Sequence, residues 1–190
     1  MANYKIEIIV DGKKHYTLSD ILPIEGNLKI LFIAKTPAPI SVEVGHYFQG
    51  KQGTMLWNKL SEYDILKVPI NKYPDECLLS NNYGITDIVK VPRDYGNEPS
   101  DQEYKDGLHR VLGIINKHRP EVIIIVYKKV LDNMIRLNFD MKEKSIYGLN
   151  PKLELYFNSK VFVFPMPGTP CKRELAEKSM ITLNQLIKKT

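Results

Sequence analysis

The chain is poor in the residues that staple small folds or build metal centres. Its 190 residues include only two cysteines, Cys77 and Cys171. That number excludes a disulfide framework, a cysteine-rich zinc site and a four-thiolate iron–sulfur cluster. The four histidines, His15, His46, His109 and His118, form no close pair with zinc-ligand spacing, so no metal or other cofactor is expected. Long apolar runs are missing as well. The longest, Val122 to Val126, falls far short of the about 20 residues a membrane helix needs. The amino terminus has no charged-then-apolar signal pattern. The expectation is a cytoplasmic protein that makes no use of a membrane. No repeat, low-complexity stretch or linker interrupts the sequence.

What is present is an ordinary globular composition, 43% apolar and 26% charged, on a chain long enough to bury a sizeable core. One domain over residues 1–190 is expected, with 1–27 as an amino-terminal appendage and 28–190 as the core. Twenty-seven Lys and Arg against twenty-two Asp and Glu leave a net charge of +5. Such a balance permits a polyanionic partner without requiring one.

Tyr4 to Val10, the turn Asp11-Gly12-Lys13-Lys14, and His15 to Thr17 read as a β-hairpin. Leu28 to Ile33 predicts a buried strand that runs into the proline-bearing loop Ala34 to Pro39. Thr54 to Tyr63 predicts a helix and Ile85 to Val89 a strand. Between Asp101 and His118, the apolar positions Tyr104, Leu108, Val111, Leu112 and Ile115 mark an amphipathic helix capped by Ser100 and stopped by Pro120. The unbroken apolar run Val122 to Val126 suits a strand covered on both faces. Lys128 to Leu137 predicts a helix, Leu153 to Phe157 and Val161 to Phe164 short strands, and Glu174 to Ile187 a closing helix. Alternating β and α elements give an α/β fold: a three-layer α/β/α sandwich with a mainly parallel central sheet, plus the hairpin.

Ligands of such folds bind at the carboxyl ends of the parallel strands. Three loops lie there. Ala34 to Gly53 is long enough, read as irregular, to suggest a function. Lys90 to Ser100 carries Arg93, Asp94, Tyr95 and Asn97, and Pro165 to Arg173 leads from an apolar strand into the last helix.

Together these loops resemble the uracil-DNA glycosylase superfamily, most closely its mismatch-specific uracil/thymine branch, over about residues 28 to 190. The branch's Gly-Ile-Asn-Pro-Gly motif is represented by Ala34-Lys35-Thr36-Pro37-Ala38. Its Gly-His-His-Phe-x-Gly segment is matched by Gly45-His46-Tyr47-Phe48-Gln49-Gly50, followed by Trp57. Gly84-Ile85-Thr86-Asp87-Ile88-Val89-Lys90-Val91-Pro92 follows the family's Gly-[Ile/Val]-Thr-x-[Leu/Val]-Val-x-x-Pro pattern, and Met166-Pro167-Gly168-Thr169-Pro170 stands where Asn-Pro-Ser-Gly-Leu precedes the closing helix.

The resemblance implies a DNA-repair hydrolase, acting without a cofactor as a monomer on double-stranded DNA. It would flip out uracil or a related damaged base and cleave the N-glycosidic bond. Thr36 then stands where the family has its water-positioning Asn, with Glu43, the one carboxylate of the first loop, as a substitute base. Ala34, Lys35, Pro37, His46, Tyr47, Phe48 and Met166 are implied at the base, with Phe48 as the stacking face and backbone N–H groups of 34–38 and 47–49 on the uracil carbonyls. Gly168, Thr169, Pro170, Lys172 and Arg173 are implied at the DNA, Pro170 as an apolar wedge. Plainer readings stand beside these: Phe48 as a core aromatic, His46 as a solvent-facing loop residue, Thr36 as a turn residue and Glu43 as a solvated charge. The rival functions are a non-catalytic DNA- or nucleotide-binding protein and an enzyme of free nucleosides or nucleotides.

Overall fold

The computed structural model describes residues 2–94, 96–139 and 144–189; Tyr95, named above in the second loop, lies outside them. Its elements in chain order are β1 (Lys5–Val10), β2 (Lys13–Leu18), β3 (Ile30–Ala34), α1 (Pro39–Val44), α2 (Lys51–Glu62), β4 (Tyr83–Asp87), α3 (Asp101–His118), β5 (Val122–Ile125), α4 (Lys128–Asn138), β6 (Gly148–Leu149), α5 (Glu154–Phe157), β7 (Lys160–Val163) and α6 (Arg173–Lys189).

The central sheet runs β4-β3-β5-β7-β6, parallel except for the antiparallel edge strand β6. Alternation along its strands sorts the core into two faces. Ile30, Phe32, Ile124 and Phe162 pack with Leu56, Trp57 and Leu60 of α2 and Met180 and Leu183 of α6. Leu31, Ile33, Ile123, Ile125, Val161 and Val163 pack with Leu108 and Val111 of α3 and Val130, Leu131 and Met134 of α4. This is the expected three-layer α/β/α fold. No helix among the described residues is long and apolar enough to cross a membrane.

The clearest helix in the sequence, α3, has the expected bounds. Ser100 Oγ accepts from the Glu103 N–H while the Glu103 carboxylate accepts from the Ser100 N–H, a reciprocal box that satisfies two end donors. The helix stops at Arg119, in the left-handed region, before Pro120. α3 also lies against the chain leaving β4. A Cβ on Gly107 would come within 1.9 Å of the Ile88 carbonyl oxygen, so only glycine allows this approach.

Three sequence-based expectations need correction. Leu153 to Phe157 is no strand but a 3₁₀ turn, Pro151–Leu153, continuing into α5. Pro151 starts it, and Asn158 at φ 48 ends it; a short apolar run does not separate the two conformations. The loop from Ala34 to Gly53 is not wholly irregular, because Pro39 begins α1 and Gly45 at φ 82 closes it. The strand read as Ile85 to Val89 is β4, ending at Asp87.

The hairpin β1–β2 forms its own two-stranded antiparallel sheet, yet the chain beyond it joins the core. Ile21 exchanges two backbone hydrogen bonds with Ile85, each 3.0 Å, on the free edge of β4. Leu18 and Ile21 are buried, and Tyr4 N–H donates to the Gly45 carbonyl at 2.9 Å. Residues 17–21 are thereby placed at the carboxyl end of β4.

Candidate active site

A cavity of about 520 Å³ opens at the carboxyl ends of β3, β4 and β5, where the connections of a parallel sheet diverge. Lys35, Thr36, Pro37 and Ala38 form its wall after β3, Tyr47, Phe48 and Gly50 to Gly53 a second, and Asp87, Arg93, Asp94 and Glu98 a third. Leu18 of β2, Ser41 of α1, and Tyr127 and Lys129 after β5 complete it. The first two loops picked out in the sequence therefore meet at one place.

The wall with Phe48 is built by long-range hydrogen bonds. Tyr47 is buried, its N–H donating to Asp75 Oδ2 at 2.7 Å and its carbonyl accepting from Trp57 Nε1 at 3.2 Å. Phe48 follows at φ 57, half-buried, with its ring 5.7 Å from Trp57 in edge-to-face contact. Gly53 of α2 lies under it so closely that a Cβ there would stand 2.4 Å from the Phe48 carbonyl oxygen. The tryptophan and the glycine are what present this aromatic face to the cavity.

His46 does not face solvent. It is buried, its Nδ1 lies 2.9 Å from Asp75 Oδ1, and its ring stacks on Tyr73 at 3.7 Å between centroids. It stands outside the cavity wall and acts on the site through Asp75, which holds both His46 and the Tyr47 N–H. Ala34 and Met166 are buried in the core beside the cavity, the Ala34 carbonyl accepting from Ile88 N–H at 2.8 Å. Glu43 is exposed on α1 and away from the lining. Of the backbone donors expected on a base, the Tyr47 N–H is taken by Asp75 and the Gln49 N–H by Ser41 Oγ at 3.0 Å. Gly168, Thr169, Pro170 and Lys172 lie on the connection between β7 and α6 and Arg173 opens α6, all outside the cavity lining; Lys172 and Arg173 are exposed.

The third wall carries a buried carboxylate that none of the expected site residues supplies. Asp87 is fully buried, at 1% exposure, and is the register partner of Ala34. Burial, followed by the charge of Asp20, raises its carboxyl pKa against the pull of Lys90 and Tyr47. Lys90 Nζ lies 3.2 Å from Asp87 Oδ2, 2.9 Å from Asp20 Oδ1 and 3.1 Å from the Tyr47 hydroxyl. Asp20 also accepts from Thr86 Oγ1 and Arg110, both at 2.7 Å. A carboxylate between Ile85 and Val89 in a fully covered strand was the available signal, since such groups are seldom buried without a reason.

At the mouth, Glu98 Oε1 is 2.9 Å from Lys35 Nζ and 3.5 Å from Lys129 Nζ. Burial opposes ionisation of Glu98, but the Lys35 hydrogen bond and the two ammonium charges outweigh it and hold the pKa below the ordinary value. Arg93 pairs with Glu103 of the α3 capping box.

The site thus combines a concave, mostly apolar pocket, an aromatic wall, a hydroxyl, a buried carboxylate and a rim of cations. No curated protein matches the chain significantly. The family model of the uracil DNA glycosylase superfamily matches residues 23–185, spanning the whole sheet and every wall of the cavity except Leu18, and on that match the chain belongs to the uracil-DNA glycosylase superfamily.

Proposed function

We propose that this protein hydrolyses the N-glycosidic bond of uracil or a related damaged base in double-stranded DNA, in the manner of the mismatch-specific branch. The observation that carries the reading is Phe48, held by Trp57 and Gly53 on the wall of a cavity that also presents Thr36. An extruded base needs a stacking face, and a cavity of about 520 Å³ accommodates one nucleoside. Thr36 has a hydroxyl that can hold the attacking water, but it is a weak base at neutral pH. Lys35 and Lys129 at the mouth, with Lys172 and Arg173 on the loop before α6, supply cations for the DNA backbone.

The test is incubation of the purified protein with duplex oligonucleotides bearing uracil, mismatched thymine, hypoxanthine or xanthine, followed by alkaline cleavage of abasic sites. Strand scission at the lesion is expected. Binding of lesion DNA without scission would leave a non-catalytic binding protein, and binding of free nucleotides alone would leave an enzyme of monomers.

A further inference from the structure

The Thr36 hydroxyl can hold the attacking water but is a poor acceptor of its proton, and we propose that Asp87 is the catalytic residue that takes it. The inference rests on the glycosylase reading. Among the described residues, three carboxylates line the cavity: Asp87, Asp94 and Glu98. Asp94 is exposed, and Glu98 is held by two lysines. Asp87 alone is buried. Asp87 is the register partner of Ala34, which directly precedes Lys35 and Thr36, and both Asp87 and Thr36 line the cavity, so a water held by the Thr36 hydroxyl would share that cavity with the Asp87 carboxylate.

The surroundings divide the labour between two aspartates. Asp20 accepts from Thr86, Lys90 and Arg110 and is fully engaged. Asp87 receives the longer contact from Lys90, with the Tyr47 hydroxyl beside it and Arg110 bound to its main-chain carbonyl. Asp20 thus takes most of the cationic charge and leaves Asp87 ionisable but basic. Lys90 keeps enough positive charge near Asp87 for the ionised form to exist, and burial makes that form a stronger proton acceptor than a solvated carboxylate.

In the step itself the C1′–N bond breaks and its electron pair leaves with the base. The water oxygen bonds to C1′, and the water's proton passes to Asp87. The resulting carboxylic acid then releases that proton to the departing base anion or to solvent. Before transfer, the ionised Asp87 also opposes the positive charge that develops on the sugar. The base-bearing deoxynucleotide plus water become free base and an abasic deoxyribose, with no further reactant.

The experiment is single-turnover excision by the wild-type protein and by Asp87→Asn, with lesion-DNA binding followed by fluorescence anisotropy. Asp87→Asn is expected to bind lesion DNA as the wild type does and to excise roughly 10²–10⁴-fold more slowly. The wild-type rate is expected to rise with pH through an apparent pKa above the ordinary aspartate value of 3.8, and that rise should be absent in the variant. A variant with the wild-type rate overturns the assignment. Should the variant fail to fold, the wild-type profile decides, since a rate independent of pH across the acid range overturns it equally. If the wild type excises no base, the glycosylase reading fails and the role of Asp87 with it, an outcome distinct from a loss confined to the variant.

Discussion

Glu98 accepts a hydrogen bond from Lys35 at 2.9 Å across the mouth of the cavity, although the two residues are 63 positions apart in the chain. Lys129 lies 3.5 Å from the same oxygen, so the carboxylate is shared between two ammonium groups.

Glu98→Gln should free both lysines. Tighter binding to duplex DNA at low salt is expected, with a salt dependence steeper by up to about two phosphate contacts. The change should be the same for every DNA sequence, because ammonium–phosphate pairs read no bases. Equal slopes for the wild type and the variant would place the DNA backbone away from the mouth.

Phe48 offers a cleaner separation of stacking from folding. Phe48→Gly removes the ring and also relieves the φ 57 backbone, so the fold should keep its stability while excision is lost along with a stacking contribution of about 1–3 kcal/mol. Gly53→Ala keeps the ring but forces a Cβ to within 2.4 Å of the Phe48 carbonyl oxygen, and it should lower both stability and excision. Thermal melts beside single-turnover rates check the pair. Unimpaired excision by Phe48→Gly would make the residue a packing aromatic only.

How far the sequence revealed this site depended on the distance between partners. α3 was legible because its cap, its periodicity and its stop lie within its own residues. The cavity's place was legible because the strand order puts the loops after β3 and β4 side by side. Phe48 and Thr36 came from motif comparison. The burial of His46, read in the sequence either at the base or facing solvent, is not legible there because its partner Asp75 is 29 residues away in a segment with no regular pattern. The role of Asp20 was invisible for the same reason, its contacts with Thr86, Lys90 and Arg110 spanning 66 to 90 positions. Asp87 stands inside the motif from Gly84 to Pro92, yet only its burial gives it meaning. Glu43 illustrates the converse: proximity in sequence suggested a role, and one turn of α1 carries its side chain to the exposed face.

Asp75 is the buried support of the Phe48 wall, and its removal should show first in stability. Asp75→Ala leaves the Tyr47 N–H and the His46 imidazole without their acceptor, a loss of about 3–5 kcal/mol by the precedent of broken buried pairs. Asp75→Asn retains one acceptor and should cost less, about 1–3 kcal/mol. Burial raises the Asp75 pKa in the fold despite hydrogen bonds from Tyr47 and His46. The native state therefore holds this proton more firmly than the unfolded chain, and the contribution of Asp75 to stability falls as pH rises from 3.8 through the raised value. Urea titrations over that range should show a smaller fall for Asp75→Asn than for the wild type; parallel curves would mean that Asp75 is not the titrating group.

The loop before α6 provides the last prediction. Arg173 is 91% exposed at the start of the helix, where a cation opposes the helix dipole, and its guanidinium Nε lies 2.8 Å from Glu177 Oε1. Lys172 beside it is exposed, and Gly168 at φ 80 turns the preceding chain. An exposed i,i+4 pair is worth little by itself, so Arg173 can leave Glu177 for a phosphate at small cost. Replacing Lys172 and Arg173 together with alanine should weaken binding to all duplexes and lower the magnitude of the salt slope by up to about two. Glu177→Gln should act in the opposite direction by releasing Arg173. Pro170→Gly should leave the slope unchanged and reduce base extrusion, read as a smaller fluorescence change of 2-aminopurine beside the lesion. If the double alanine variant keeps the wild-type slope while Glu98→Gln changes it, the DNA backbone runs along the cavity mouth and not over the loop before α6.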